Sequence, residues 1–263
     1  MLFMKTGADF EITNGPLPLI KCKALRCPHG FSTRYGGVTE DEHRGTLDLG
    51  AGDGEDVSTN RKRFFSSLTA TCDRAFSAKQ IHSNKVLTVK SENLGQYFEC
   101  DGFVTNERGL LLTVKVADCV PILLEDCKNG VIAAVHSGWR GTAGAIVTEA
   151  VRKMCLLGAE LGSIRAAIGP SIHPCCYEVD DPFVSAFEAS ERAEALLPFI
   201  TPTEREGRYM ADLQGMNAAL LREAGVENVY ESRLCTCCER ELLFSHRGSG
   251  GKRGLMMAGI ILP

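Results

Sequence analysis

Apolar and polar side chains alternate from Leu110 to Val116: Leu110, Leu112, Val114 and Val116 share one side, Leu111, Thr113 and Lys115 the other. A period of two predicts a half-buried strand. Two apolar runs follow, Pro121 to Leu124 and Val131 to Val135, flanking Lys128-Asn129-Gly130. That triplet reads as a hairpin turn whose two central positions want positive φ. Folding the chain about it brings Cys119 level with His136 or slightly beyond. The period then changes, because Ile146, Val147, Ala150, Val151, Met154 and Cys155 recur every three or four residues. This predicts an amphipathic helix with Thr142 as its N-cap and Gly158 as its stop.

Elsewhere, Phe31 to Arg34 and Ala75 to Lys79 read as short strands around a helix that begins near Ser58 and carries Arg61 to Leu68. Gly36 to Gly54 holds six glycines and many acids, the composition of a loop. Arg165 to Ile168 reads as a strand, Pro182 as a helix start, Leu213 to Ala224 as an amphipathic helix ending at Gly225, and Leu255 to Leu262 as a buried terminal strand. Alternating elements of this kind predict a mixed α/β fold.

With 263 residues, 44% of them hydrophobic and 24% charged, the chain can bury a full core, and no repeat or linker divides it. One domain over residues 1–263 is expected. The net charge is -4 and the 29 Lys and Arg are scattered, which argues against a nucleic-acid groove. Met1 to Thr6 lack the features of a leader, and no run approaches the ~18 apolar residues of a membrane span. The expected compartment is the cytoplasm, where twelve cysteines would stay mostly reduced. Cys22, Cys72, Cys127 and Cys155 then read as small buried hydrophobes.

Three residues stand out chemically. His82, Cys119 and His136 each lie in a glycine- or proline-bearing context where a β-type run ends. Singly, a histidine there is a hydrogen-bonded residue and a cysteine an inert one. Together they are the imidazole and thiolate set of a zinc site, with copper the second choice. Three protein ligands leave the fourth position open, as catalytic zinc does. Gly138-Trp139-Arg140-Gly141-Thr142 supports two readings: an anion site at a helix entrance with Arg140 as a bidentate donor, or a tight turn with Trp139 packed and Arg140 salt-bridged. Asp101, Asp118 and Glu178 are candidate general acids or bases. Cys175-Cys176 with Cys235 and Cys238 resembles a second metal site, but the contiguous pair departs from a four-cysteine knuckle, and buried thiols are the preferred reading.

These residues, taken in order, resemble the YfiH-like family, also called the laccase-domain family and assigned as purine nucleoside phosphorylases. The resemblance rests on Pro28-His29-Gly30-Phe31-Ser32-Thr33-Arg34, Gln80-Ile81-His82, Asp101-Gly102-Phe103-Val104-Thr105, Ala117-Asp118-Cys119-Val120-Pro121 and Val135 to Gly141. It continues in Ile168-Gly169-Pro170, Cys175 to Val179, Asp212-Leu213, Cys235-Thr236 with Cys238, and Phe244-Ser245. It implies a layered α/β/β/α sandwich, a zinc on His82, Cys119 and His136, and two reactions. These are phosphorolysis of adenosine, inosine and methylthioadenosine, and deamination of adenosine. The implied partners are a purine nucleoside and phosphate.

Asp118, Cys119 and Glu178 are the expected catalytic residues, and Arg34, Gln80, Arg140, Tyr177 and Arg247 the expected substrate contacts. Near the end, His246-Arg247-Gly248 replaces the family's Tyr-Arg-Arg type run and leaves Arg247 as its cation. Three competing readings are copper-dependent oxidation of phenols, a cysteine hydrolase using Cys119 with His136, and a binding module with structural zinc. Six histidines and no His-x-His pair argue against the first.

Overall fold

A hairpin lies at the centre of the computed structural model, which describes residues 7–41, 45–50, 54–69 and 73–263. Expectations for Met1 to Thr6, for Cys72 and for parts of the Gly36 to Gly54 loop lie outside the described residues. The strands Val120–Asp126 and Val131–Ser137 pair antiparallel, with Asp126 opposite Val131 and Val120 opposite Ser137. The turn differs from the expected one. Of its residues only Gly130 has positive φ, at 68°, and Asn129 does not. The Asp126 carboxylate instead accepts from the backbone N–H groups of Lys128 and Asn129, both at 3.1 Å, and from Nδ2 of Asn129 at 2.8 Å. An acidic side chain folded over its own turn thus does the work assigned to a second left-handed residue.

The hairpin sits inside a six-stranded sheet ordered Asn228–Glu231, Arg165–Ile168, Val120–Asp126, Val131–Ser137, Gly102–Thr105, Val86–Thr88. A second six-stranded sheet is ordered Phe10–Ile12, Leu19–Cys22, His29–Ser32, Met256–Ile261, Leu111–Val116, Ala75–Phe76. Leu123, Ile132 and Ala134 of the first sheet pack against Leu112, Val114 and Ala258 of the second. Ile122, Leu124, Ala133 and Val135, the alternate residues, pack under the helices Ile146–Leu156 and Leu213–Glu223. On the far side, Leu111 and Met257 meet Phe64 and Leu68 at the helix Glu55–Ser66 and its end. The layers run α/β/β/α, and this double burial corrects the half-buried reading of Leu110 to Val116. Thr113, on the supposedly wet face, is buried, and its hydroxyl donates to the Phe76 carbonyl at 2.7 Å.

Other boundaries moved for local reasons. Acids at Glu55 and Asp56 favour an earlier helix start than Ser58. The helix expected to run from Thr142 is broken into a five-residue turn, Trp139–Ala143, and the helix Ile146–Leu156 capped by Ala145 at φ 52°. Thr142 is therefore no N-cap. Its hydroxyl joins Ser137 and Asn217 in a buried network at 2.9 to 3.1 Å. A small sheet of Glu178–Asp180, Arg208–Ala211 and Ile200–Pro202 had no sequence signal, because strands of three or four residues are too short to show a period. Cys22 is buried as expected, whereas Cys127 and Cys155 are only partly so.

Leu123 is fully buried between the sheets. Leu123→Ala should cost about 2–5 kcal/mol in urea unfolding; a loss below about 1 kcal/mol would contradict the packing described.

Candidate metal centre

The hairpin register builds half of this site. Pro121 lies opposite His136, so Cys119 emerges one residue beyond the last pair, Val120 with Ser137. Asp118 turns the chain into that strand with φ 90°, a conformation side chains rarely adopt. The other half is held by Asp101, fully buried at the head of Gly102–Thr105. Its Oδ1 accepts from the His82 backbone N–H at 3.0 Å and lies 2.8 Å from Nδ1 of His136. Its Oδ2 accepts from the N–H and the hydroxyl of Ser83, both at 2.7 Å. One carboxylate thus places both the strand-borne and the loop-borne histidine, and His82 itself is held at φ 57°.

One donor atom from each of His82, Cys119 and His136 lies within 4.8 Å of the other two. The imidazole rings stand 4.9 Å apart at 82°. A carboxylate can only accept from Nδ1 of His136, so Nε2 is the nitrogen left for a ligand role. Gly138 keeps the space open, since a Cβ there would stand 2.7 Å from Nδ1 of His82 and 3.4 Å from Sγ of Cys119. Mixed nitrogen and thiolate donors with an anchored imidazole suit zinc.

Electrostatics prepare the donors. Burial alone would raise the Cys119 thiol, but the charges and hydrogen bonds of His136 and His82 bring it down to about 6. Burial would lower His136, yet the Cys119 sulfur and Asp101 carry it up to about 9. In the metal-free protein each partner thus favours the charged form of the other, thiolate beside imidazolium, and metal binding at His136 displaces its proton. For Asp101 burial again opposes ionisation, and the bonds from His136 and Ser83 outweigh it.

His82 and Cys119 line two adjoining cavities, and His136 lines the second of them. One, of about 330 Å³, is lined by Ile81, Trp139, Arg140, Ile172, Tyr177 and Leu213 beside His82, Asp118 and Cys119. The other, of about 500 Å³, adds Lys79, Lys115, His246, Arg247 and Arg253. Nε of Arg253 is buried without a hydrogen-bond partner among the described residues. Burial pushes the Lys115 ammonium down. Buried or clustered cations facing an open space are the groundwork of an anion site.

Of the expected residues, Asp118, Cys119 and Tyr177 line both cavities. The Asp118 carboxylate braces three segments, accepting from the Thr236 hydroxyl at 2.6 Å and the Arg247 N–H at 2.7 Å, while its carbonyl accepts from Ile172 N–H. Gln80 lines the cationic cavity, but its amide is engaged in two bonds with the Lys115 backbone. Arg140 stacks 4.1 Å over Trp139 and pairs with no carboxylate among the described residues. The salt-bridged turn therefore does not form, and a five-residue turn has little dipole to offer, so an anion would rely on side chains. Arg247 donates to the Glu178 carbonyl and stacks 5.3 Å over Tyr177.

Two expected residues are elsewhere. Arg34 donates to the Arg240 carbonyl, stacks over Phe244 and lines a separate cavity. Glu178 follows Tyr177 in an extended strand and so turns its carboxylate the other way, to Arg205 at 3.1 Å. Asp101 lines neither cavity and positions the ligands instead. Lys115, His246 and Arg253 were missed. The signal for the first was a lysine on an apolar strand; for the others, a histidine and an arginine in a glycine-rich segment.

The sequence profile of the multi-copper polyphenol oxidoreductase laccase family matches residues 28–263. A purine nucleoside phosphorylase of Deinococcus radiodurans is 38% identical over 248 residues, 94% of each chain. A protein from an unknown prokaryotic organism, adenosine deaminase RL5, is 40% identical over 162 residues, 61% of each. The crystal structure of YlmD from Geobacillus stearothermophilus superposes with a TM-score of 0.86 at 31% identity, covering 97% of this chain and 98% of that one.

Two measurements probe the centre. Asp101→Asn should weaken zinc binding 10–100-fold in a chelator competition, since the imidazole loses its anchor. Only the thiolate is alkylated, so labelling of Cys119 in metal-free protein, followed by peptide mass mapping, should rise as pH climbs through about 6. It should be flat where an ordinary thiol, at about 8.5, still titrates. A Cys119 midpoint near that ordinary value would refute the pairing with His136.

Proposed function

The chain belongs to the multi-copper polyphenol oxidoreductase laccase family, the YfiH-like proteins, and from that membership we propose that it is a zinc-dependent purine nucleoside phosphorylase that also deaminates adenosine. The observation carrying this reading is the pair of cavities that share His82 and Cys119, with His136 lining the second. One is lined by Ile81, Trp139, Ile172, Tyr177 and Leu213, a slot for a flat base. Its neighbour collects Lys115, Arg247 and Arg253, the groups that hold phosphate. The names of relatives support the substrates: a purine nucleoside phosphorylase along nearly the whole chain and an adenosine deaminase over part of it.

In the reaction we propose, an oxygen of phosphate forms a bond to C1′ of the ribose while the bond from C1′ to the purine nitrogen breaks, and that nitrogen takes up a proton. Lys115, Arg247 and Arg253 neutralise the phosphate and aim it, and Arg140 adds its planar fork from the base side. Burial and the negative Cys119 sulfur raise the pKa of Tyr177, which keeps Oη protonated as a hydrogen-bond donor between the cavities. Of the acid-base candidates we retain Asp118, which faces both cavities, over Glu178, which faces Arg205. Zinc on His82, Cys119 and His136 would supply Lewis acidity, polarising the purine and lowering the pKa of a nearby water.

Copper oxidation is disfavoured by the donors themselves. Among the described residues, the other groups with metal-ligand spacing consist of cysteines and one glutamate, not the histidines a multicopper centre uses. A cysteine hydrolase would employ the Cys119 and His136 pair but leave His82 without a role. All eleven described cysteines are free.

Inosine should release hypoxanthine only when phosphate is present. Base release without phosphate, or none at all, would refute the phosphorylase reading. In the same assay Arg140→Lys should raise the phosphate KM with zinc content unchanged, because the bidentate fork is lost.

A further inference from the structure

Four cysteines outside the proposed active site converge at one end of the hairpin sheet. Arg165–Ile168 and Asn228–Glu231 run parallel as neighbours, so the loops leaving them emerge at the same edge. The first loop carries Cys175 and Cys176, the second Cys235 and Cys238. They are stitched by a bridge of Ser171 with Cys235 and by the Thr236 N–H donating to the Ser171 carbonyl at 3.0 Å. All four sulfurs lie within 4.8 Å of one another, and Cys238 is 3.5 Å from both Cys175 and Cys176. Zinc–sulfur bonds of about 2.3 Å at tetrahedral angles require sulfurs about 3.8 Å apart. The two 3.5 Å separations fall about 0.3 Å short of that value.

The contiguous pair weighed against a metal knuckle in the sequence because both side chains had to reach one point. In the structure both do. The buried-thiol reading fails for the complementary reason: Cys175 and Cys238 are exposed, Cys176 is partly buried and only Cys235 is buried.

We propose that Cys175, Cys176, Cys235 and Cys238 bind a second, structural zinc ion. Four S–Zn bonds form as four thiol protons pass to solvent, and nothing is oxidised. The closed tetrathiolate leaves no open position, in contrast to the three-donor centre. Its effect is to pin two loops of the active site. Cys176 precedes Tyr177, which lines both cavities, and Thr236, one residue after Cys235, holds the Asp118 carboxylate at 2.6 Å.

Metal counting on protein purified with zinc and a thiol reductant tests this without an activity assay. Two zinc ions per chain are expected in the wild type, one in Cys119→Ala and one in the double variant Cys175→Ser/Cys238→Ser. Cobalt loaded into Cys119→Ala should show the strong thiolate charge-transfer absorption of four sulfur ligands. If the serine variant fails to fold, Cys119→Ala decides alone, because its cluster is intact. No metal in Cys119→Ala would overturn the proposal, as would unchanged zinc in a folded serine variant. So would protein two hydrogens lighter, its cysteines paired in a disulfide.

Discussion

The carboxylate of Asp101 is wholly buried, and it accepts from the His82 backbone, from Ser83 through both N–H and hydroxyl, and from the His136 ring. Those donors come from two segments that share no strand, and this carboxylate ties them together at the metal centre. Removing one partner of such a buried charge typically costs 3–5 kcal/mol, which is why the arrangement is obligatory once formed. From it follow the orientation of the His136 ring and the placement of His82.

Two of the four described non-glycine residues with positive φ lie in the same place. His82 at φ 57° and Asp118 at φ 90° each hold a conformation that costs of order 1–3 kcal/mol outside glycine. Their surroundings over-determine it: Asp101 grips the first, while Thr236, Arg247 and Ile172 grip the second. The cysteine cluster reinforces the Thr236 loop, so a structural metal and a catalytic centre would share one mechanical support. The two-layered β core beneath supplies the rigidity, since both faces of the hairpin are dry.

Much of the frame was legible because burial writes a period. Arg165–Ile168, the hairpin strands and the helices Ile146–Leu156 and Leu213–Glu223 lie where their apolar residues placed them. The turn at Gly130 was read with the wrong geometry because Asp126, outside the turn motif, supplies the hydrogen bonds. The small sheet around Glu178 carried no period to read. Arg34, expected at the substrate, and Glu178, expected as an acid or base, point elsewhere, a matter of chain path that one-dimensional spacing does not encode.

The sequence by itself determined the α/β alternation, the hairpin that sets Cys119 beside His136, and the three donors of the candidate centre, because these depend on local period and residue chemistry. Tertiary structure decided that His82 joins them through Asp101, that Arg253 and Lys115 face the same cavity, and that Cys175 and Cys176 meet Cys235 and Cys238. Each of those contacts joins segments far apart in the chain, and their meeting is set by how strands and sheets pack, a constraint no local pattern carries.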